Sequence, residues 1–123
     1  MKNAIWISRH PCSTEQMAEI EAKGYCLVGV EDGLALGSID LQEDADVAAW
    51  LKELDRLLNL HQVSAAFGVL PAPLQAKLAN YPNEEHWGMT WLPFYLAWNV
   101  SRSVDGGRPT FTHKKFLDTY LVF

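Results

Sequence analysis

Short apolar runs along the chain predict the strands of a parallel sheet. Residues 4–8, 25–30 and 63–70 are mostly apolar with little polar alternation, as expected for strands whose two faces are both covered. Apolar and polar positions alternate with a period of two over residues 94–101. A turn-forming segment at residues 105–109 follows, so the last third of the chain predicts an antiparallel hairpin.

Helical signals separate the first three runs. Ser13 and Gln16 have the spacing of a capping box, and Gly24 suits the left-handed residue that ends a helix. Residues 46–60 carry the strongest helical period in the chain. Its apolar face is made of Val47, Trp50, Leu51, Leu54, Leu57 and Leu58.

Turn-forming residues mark two further elements. Asp32-Gly33 predicts a turn, with a short strand beyond it over residues 34–39. Pro71 and Pro73 predict the start of a short helix.

The order of these elements predicts an α/β fold. Strands that alternate with helices form βαβ units, so residues 1–123 are expected to build one domain. Its sheet is mostly parallel, with helices on both faces and a C-terminal antiparallel hairpin. Such sheets bind ligands outside the carboxyl ends of their strands. Residues 8–13 and 70–73 follow two of those ends and lead into helix N-termini, where free N–H groups favour an anion.

The composition narrows the class of protein. With 123 residues, 49% of them hydrophobic and 20% charged, the chain suits one globular domain. The net charge of −5 argues against a protein that coats duplex nucleic acid, because that role needs broad phosphate neutralisation. No segment resembles a signal peptide or a membrane span, and Cys12 and Cys26 form no CxxC pair. We expect a cytoplasmic protein with free thiols and no membrane partner.

A dense polar group follows the first predicted strand. Ser8, Arg9, His10 and Ser13 lie within six positions, between a buried strand and a helix N-terminus. An arginine can bind a phosphate with two hydrogen bonds, a histidine can transfer a proton near neutral pH, and serine hydroxyls can position oxygens. The structural alternative is that Arg9 faces solvent, His10 fills a turn and Ser13 only caps the helix. Arg9 is the stronger candidate for binding, because its charge needs no tuning.

Other chemical motifs are missing. A thiolate phosphatase loop built on Cys12 would need an arginine at the position of Ala18. Three further histidines have no carboxylate at metal-ligand spacing, so neither a metal site nor a cofactor is expected; they are His61, His86 and His113. Asn99 lies near the hairpin turn, where it either flanks a ligand or ends a solvated strand.

Two segments resemble a known family. The Ser8-Arg9-His10-Pro11 strand end with its following helix, and the segment of residues 68–78 that begins Gly68-Val69-Leu70, resemble the small stand-alone ring nucleases of type III CRISPR systems. A weaker likeness covers residues 94–117. The resemblance implies a Rossmann-like, CARF-like fold and a homodimer that binds cyclic oligoadenylate, with cyclic tetra-adenylate as the first candidate. It also implies metal-independent cleavage of that messenger, which switches off antiviral signalling.

The resemblance also implies roles for single residues. Arg9 would hold the scissile phosphate, and His10 would act as general acid or base. Ser8 and Ser13 would hydrogen-bond phosphate oxygens, helped by backbone N–H groups around Leu70. Gly68 and Asn99 complete the predicted substrate-binding set. The nucleophile would be a ribose 2′-hydroxyl of the substrate, so the protein would mainly position it and stabilise charge.

Three alternatives stay open. A non-catalytic protein that sequesters the same nucleotide would share the fold and Arg9. A histidine phosphatase also begins with Ser-Arg-His after a strand, although Pro11 stands where that superfamily normally has glycine. An interaction protein would use the aromatic stretch of residues 87–98 to bind a partner.

Overall fold

The computed structural model describes residues 1–70, 91–103 and 109–122. The short helix predicted from Pro71 and the turn residues 105–108 lie outside these ranges, as does the aromatic stretch before Trp91. Within the described residues, no helix has the length and apolar character needed to cross a bilayer.

One five-stranded sheet organises the described part of the chain. The strands are β1 (Lys2–Ile7), β2 (Tyr25–Leu27), β3 (Ala65–Gly68), β4 (Trp91–Ser103) and β5 (Pro109–Val122). Their order is β2-β1-β3-β4-β5. The pairs β1–β2, β1–β3 and β3–β4 are parallel, and β5 pairs antiparallel with β4. The prediction of a mostly parallel sheet with a C-terminal hairpin is confirmed.

Three helices are seen in the described ranges: α1 (Thr14–Ala22), α2 (Val30–Gly37) and α3 (Asp44–Leu60). The capping box predicted for α1 is present, because Ser13 Oγ accepts the Gln16 N–H at 3.1 Å and Gln16 Oε1 accepts the Ser13 N–H at 2.9 Å. Gly24 follows the end of α1 with a φ of +89°, as its left-handed role requires.

Helices cover both faces of the sheet. Successive strand residues point to opposite faces, so Ile5 and Ile7 of β1 pack in one apolar layer while Ala4 and Trp6 pack in the other. The helical part of the first layer is the predicted apolar face of α3 together with Leu36 of α2. Ile20 of α1 packs in the second.

Residues 30–37 are helical, so the strand predicted over residues 34–39 is wrong. The strand predicted over residues 25–30 is also too long, since β2 ends at Leu27 and α2 begins at Val30. Gly29, with a φ of +57°, occupies the N-cap position of α2. Apolar Leu34-Ala35-Leu36 fits a strand or a helix equally well over so short a run, and tertiary packing decides between them.

That packing depends on two glycines one helical turn apart. β2 pairs with β1 only as far as Ala4, and α2 lies against the main chain of β1 beyond that point. A Cβ added at Gly33 would lie 1.9 Å from the Trp6 carbonyl oxygen, and one at Gly37 would lie 2.5 Å from the Ser8 nitrogen. Gly33 is therefore a close-packing residue of a helix and not a turn residue.

A β-bulge interrupts the hairpin near its middle. Trp98 pairs with Lys115, but the next residue, Asn99, pairs with His113, so Lys114 is an extra residue on β5. An extra residue reverses the alternation of side chains along a strand. It turns His113 to the α1 side of the sheet, where it contacts Phe116 with ring centroids 4.8 Å apart.

Candidate functional site

The strand order creates a binding crevice between β1 and β3. β1 and β3 are neighbours in the sheet. The connection from β1 leads away from β3 to β2, and the chain after β3 leads in the opposite direction to β4. Open α/β sheets bind ligands outside the carboxyl ends of the strands at such a reversal of order. The loop after β1 and the residues after β3 both lie there.

A cavity of about 390 Å³ occupies this crevice on the α1 side. It is bounded by the end of β1, the N-terminus of α1, the residue after β3 and the bulged part of the hairpin. Its described lining residues are Trp6, Ser8, His10, Pro11, Ser13, Glu15, Gln16, Val69, Ala97, Asn99, Thr112 and His113. Four residues predicted from the sequence, Ser8, His10, Ser13 and Asn99, are thus brought to one cavity.

Hydrogen bonds hold the backbone of the loop that carries His10. Trp6 Nε1 donates to the His10 carbonyl at 2.8 Å, and Ser8 Oγ accepts the His10 N–H at 3.2 Å. Ser8 is buried, whereas the His10 side chain is exposed. Ser8 therefore helps to shape the loop as well as line the cavity.

Arg9 points to a different part of the surface. Its guanidinium lies 2.6 Å from the Asp40 carboxylate, and the two side chains are 60% and 72% exposed. It borders a smaller cavity of about 250 Å³, together with Ser8, His10, Gly37 and Val69. The sequence suggested Arg9 as the main phosphate ligand, and the structure instead places it in an exposed ion pair beside the main cavity.

Gly68 and Leu70 line a third, mostly apolar groove of about 250 Å³. A Cβ added at Gly68 would lie 1.9 Å from the Ile7 carbonyl oxygen. The glycine is therefore needed for the close approach of β3 to β1. Val69 borders all three cavities and joins this groove to the main one.

His113 is the lining residue that sequence reasoning missed. Its Nε2 lies 3.2 Å from Glu19 Oε1, and its side chain is only 6% exposed. Its Nδ1 is buried without a hydrogen-bond partner among the described residues. A buried polar atom left unsatisfied costs about 1–3 kcal/mol, so such an atom calls for an explanation.

Two carboxylate–histidine pairs connect residues distant in sequence. Glu19 and His113 are 94 residues apart, and Asp32 and His61 are 29 apart, with the latter pair at 2.8 Å. Because the partners are so far apart in sequence, neither pair produces a short metal-ligand spacing motif. Within the described residues no group of three or more metal-ligating side chains occurs.

The charge around the main cavity is mixed. In the first turn of α1 the Gln16 N–H is taken by Ser13, whereas the N–H groups before it have no intrahelical partner and favour an anion. Glu15 in the same turn opposes one. In the described lining, the side chains that can become cationic are the imidazoles of His10 and His113. Anion binding would therefore depend on main-chain N–H groups and on those imidazoles.

Cys12 is not an activated nucleophile. Burial raises the pKa of its thiol to about 11, although the residue precedes a helix N-terminus, which would favour the thiolate. The thiol is therefore protonated at neutral pH. This agrees with the sequence argument against a thiolate phosphatase.

No protein-family model, curated protein or solved structure matches the chain.

Proposed function

We propose that this chain is a metal-independent ring nuclease that binds cyclic oligoadenylate in the cavity beside α1 and cleaves it. One observation carries the proposal. Ser8, His10, Ser13 and Asn99, selected from the sequence as ligand residues, line a single cavity at the reversal of strand order. That is where open α/β sheets bind nucleotides.

The proposed chemistry uses the substrate's own nucleophile. A ribose 2′-oxygen forms a bond to the adjacent phosphorus, and the bond from phosphorus to the 5′-oxygen breaks. The products are a linear oligonucleotide end with a 2′,3′-cyclic phosphate and a free 5′-hydroxyl. The phosphate lies against the N–H groups that open α1, with Ser13 beside them, and His10 transfers a proton.

The size of the cavity supports a shared site. Ligand pockets run from about 300 to 1,000 Å³, so a cavity of about 390 Å³ takes a part of a cyclic tetra-adenylate and not the whole ring. Two copies related by a two-fold axis would supply two such cavities to one ring. A homodimer is therefore part of the proposal.

A binder that sequesters the nucleotide without cleaving it is the second candidate. The position of Arg9 favours it, because the guanidinium is paired with Asp40 beside the main cavity. Glu15 also lines that cavity. Both features reduce the positive charge available to stabilise a transition state.

The test is turnover of cyclic tetra-adenylate and cyclic hexa-adenylate in excess EDTA, followed by mass spectrometry. We expect linear products that end in a cyclic phosphate. Binding without products over hours would favour sequestration, and no binding of either ring would overturn the proposal. Release of inorganic phosphate from simple phosphomonoesters would instead favour a histidine phosphatase.

His10→Ala tests the proton transfer. General acid–base catalysis contributes about 10²- to 10⁴-fold, so we expect turnover to fall by that amount while the dissociation constant of the ring rises by at most about tenfold, the usual effect of one hydrogen bond. The exposed His10 side chain makes a folding defect unexpected. Full activity of H10A would show that this imidazole transfers no proton.

A further inference from the structure

The bulge in the hairpin supplies the cavity with a second histidine. His113 pairs with Asn99 across the bulge, and both residues line the cavity that contains His10. If β5 ran through Lys114 as a regular strand, strict alternation would put His113 on the same face as Lys115. Bulges are frequent beside active sites, where they redirect a side chain.

Glu19 determines which nitrogen of His113 carries the proton. Its Oε2 accepts the Phe116 main-chain N–H at 3.0 Å, which holds the carboxylate in place. Its Oε1 lies 3.2 Å from His113 Nε2. A carboxylate beside one ring nitrogen favours a proton on that nitrogen. This arrangement favours the neutral imidazole with its N–H at Nε2 and a free lone pair at Nδ1.

Nδ1, which carries the free lone pair, is the buried polar atom of this region that has no hydrogen-bond partner among the described residues. Nδ1 has no partner within residues 1–70, 91–103 and 109–122, and the side chain is more than nine-tenths buried. The ring nevertheless forms part of the cavity wall. Nδ1 itself is covered by protein atoms, so a ligand hydroxyl or amino group in the cavity supplies the missing donor once the ring tilts towards it. The contact of 3.2 Å to Glu19 is at the long end for a hydrogen bond, which leaves the ring room to tilt towards a ligand, and catalytic bonds often tighten only in the substrate complex.

We infer that His113 is a catalytic residue of this cavity, oriented by Glu19 as a positioning residue, and that its ligand is a ribose hydroxyl. The inference rests on the proposed function. His113 Nδ1 takes the proton of the 2′-hydroxyl as the 2′-oxygen attacks phosphorus. The His10 imidazolium gives a proton to the 5′-oxygen as its bond to phosphorus breaks. One proton is taken up and one is released, so the two histidines exchange protonation states during the step.

The chain contains a matched control for this assignment. His61 also pairs with a carboxylate, Asp32, at 2.8 Å. It does not line any of the three cavities described above. A histidine that is paired only for structural reasons should therefore behave like His61.

The first test reads the tautomer directly, by nitrogen-15 NMR of the histidine side chains in the intact protein. We expect His113 in the Nε2–H form, and loss of that preference in E19Q. Added cyclic tetra-adenylate should shift the His113 Nδ1 resonance while His61 stays unchanged. A proton on Nδ1 in the free protein would overturn the inference.

The second test is the H113Q variant, whose amide keeps an N–H for Glu19 but cannot take up a proton. We expect kcat to fall about 10²- to 10⁴-fold while the dissociation constant of the ring changes by at most about tenfold, the usual effect of one hydrogen bond. H61Q should keep its kcat within about twofold. Circular dichroism of each variant checks folding.

The outcomes separate the inference from the proposed function. If the ring shifts amide resonances of Ser13 and Asn99 but leaves His113 Nδ1 unmoved, or if H113Q turns over normally, the inference is wrong and the ring nuclease proposal stands. If no resonance shifts with either cyclic oligoadenylate, the proposed function is wrong and the assignment to His113 falls with it. If H113Q does not fold, the ligand-induced shift in the unmodified protein decides.

Discussion

Side chains of the candidate site are held by neighbours that lie far away in the sequence or on the opposite side of a turn. Arg9 is an example, because Asp40 lies 31 positions away and holds its guanidinium at 2.6 Å. The pair is exposed on both sides, and exposed ion pairs contribute only about 0.2–1 kcal/mol. A phosphate could therefore compete with Asp40 for Arg9.

Asp40→Ala tests this competition. Releasing Arg9 should tighten the binding of cyclic tetra-adenylate by about 1.4- to fivefold, the equivalent of one exposed ion pair, and R9A should weaken binding. Isothermal titration calorimetry at low salt measures both. The exposed Glu53–Arg56 pair on α3 provides the control, and E53A should change nothing. Weaker binding in D40A would show that the aspartate itself contributes to the site.

Burial of the Cys12 thiol makes a second prediction at this scale. Its pKa of about 11 means that the reactive thiolate is scarce at pH 8 and increases about tenfold per pH unit up to pH 10. The rate of alkylation by iodoacetamide in a C26S variant should follow that increase. A rate that already levels off near pH 8 would show an activated thiolate at Cys12.

At the scale of elements, α2 shows how packing overrides a local pattern. The same residues that suggest a turn and a strand form a helix, because Gly33 and Gly37 give it a face without side chains. This face lies on β1 beside the edge that β2 leaves unpaired. The Trp50 indole N–H then donates to the Leu36 carbonyl at 3.0 Å and attaches α3 to α2.

Gly33→Ala should destabilise the fold severely. The added methyl would meet the Trp6 carbonyl oxygen at 1.9 Å, and a main-chain atom can move only with its strand. Overpacking costs about 1–3 kcal/mol and sometimes more, measured as a lower urea midpoint. A35Q, an exposed change on the same helix, should stay within about 0.5 kcal/mol. Equal midpoints for the two variants would contradict the close contact.

At the scale of the whole molecule, the topology brings the site residues together, and the net charge limits how strongly the protein attracts an anionic ligand. The strand order, the α1 N-terminus and the hairpin bulge meet at one edge of the sheet. The chain carries a net charge of −5, so attraction of an anionic ring must be local to that edge. Because the ring is larger than one cavity, the number of chains that bind one ring distinguishes a shared site from a site in a single chain.

The stoichiometry of binding tests the shared site. We expect one cyclic tetra-adenylate per two chains by calorimetry, together with the mass of a dimer by light scattering at micromolar concentration. Ligand at 100 times its dissociation constant should also stabilise the complex by about 2.7 kcal/mol, seen as a higher unfolding temperature. One ring bound per monomeric chain would exclude the two-fold site.

Local sequence determined the elements whose signals are short-range. The capping box of Ser13 and Gln16, the apolar face of α3 and the alternation along β4 are patterns over a few neighbouring residues, so spacing alone reveals them. The parallel sheet followed from their order, and the order also predicted that Ser8, His10 and Ser13 lie at the carboxyl edge of the sheet, where such folds bind ligands.

Only the tertiary structure decided the rest of the site. α2 is a helix because of contacts to β1, and Arg9 leaves the cavity because Asp40 is near in space. His113 enters it because one extra residue at the bulge reverses its side, and Glu19 reaches it from another element. These are contacts between distant parts of the chain, and a one-residue change of register leaves no mark in a pattern of apolar and polar positions.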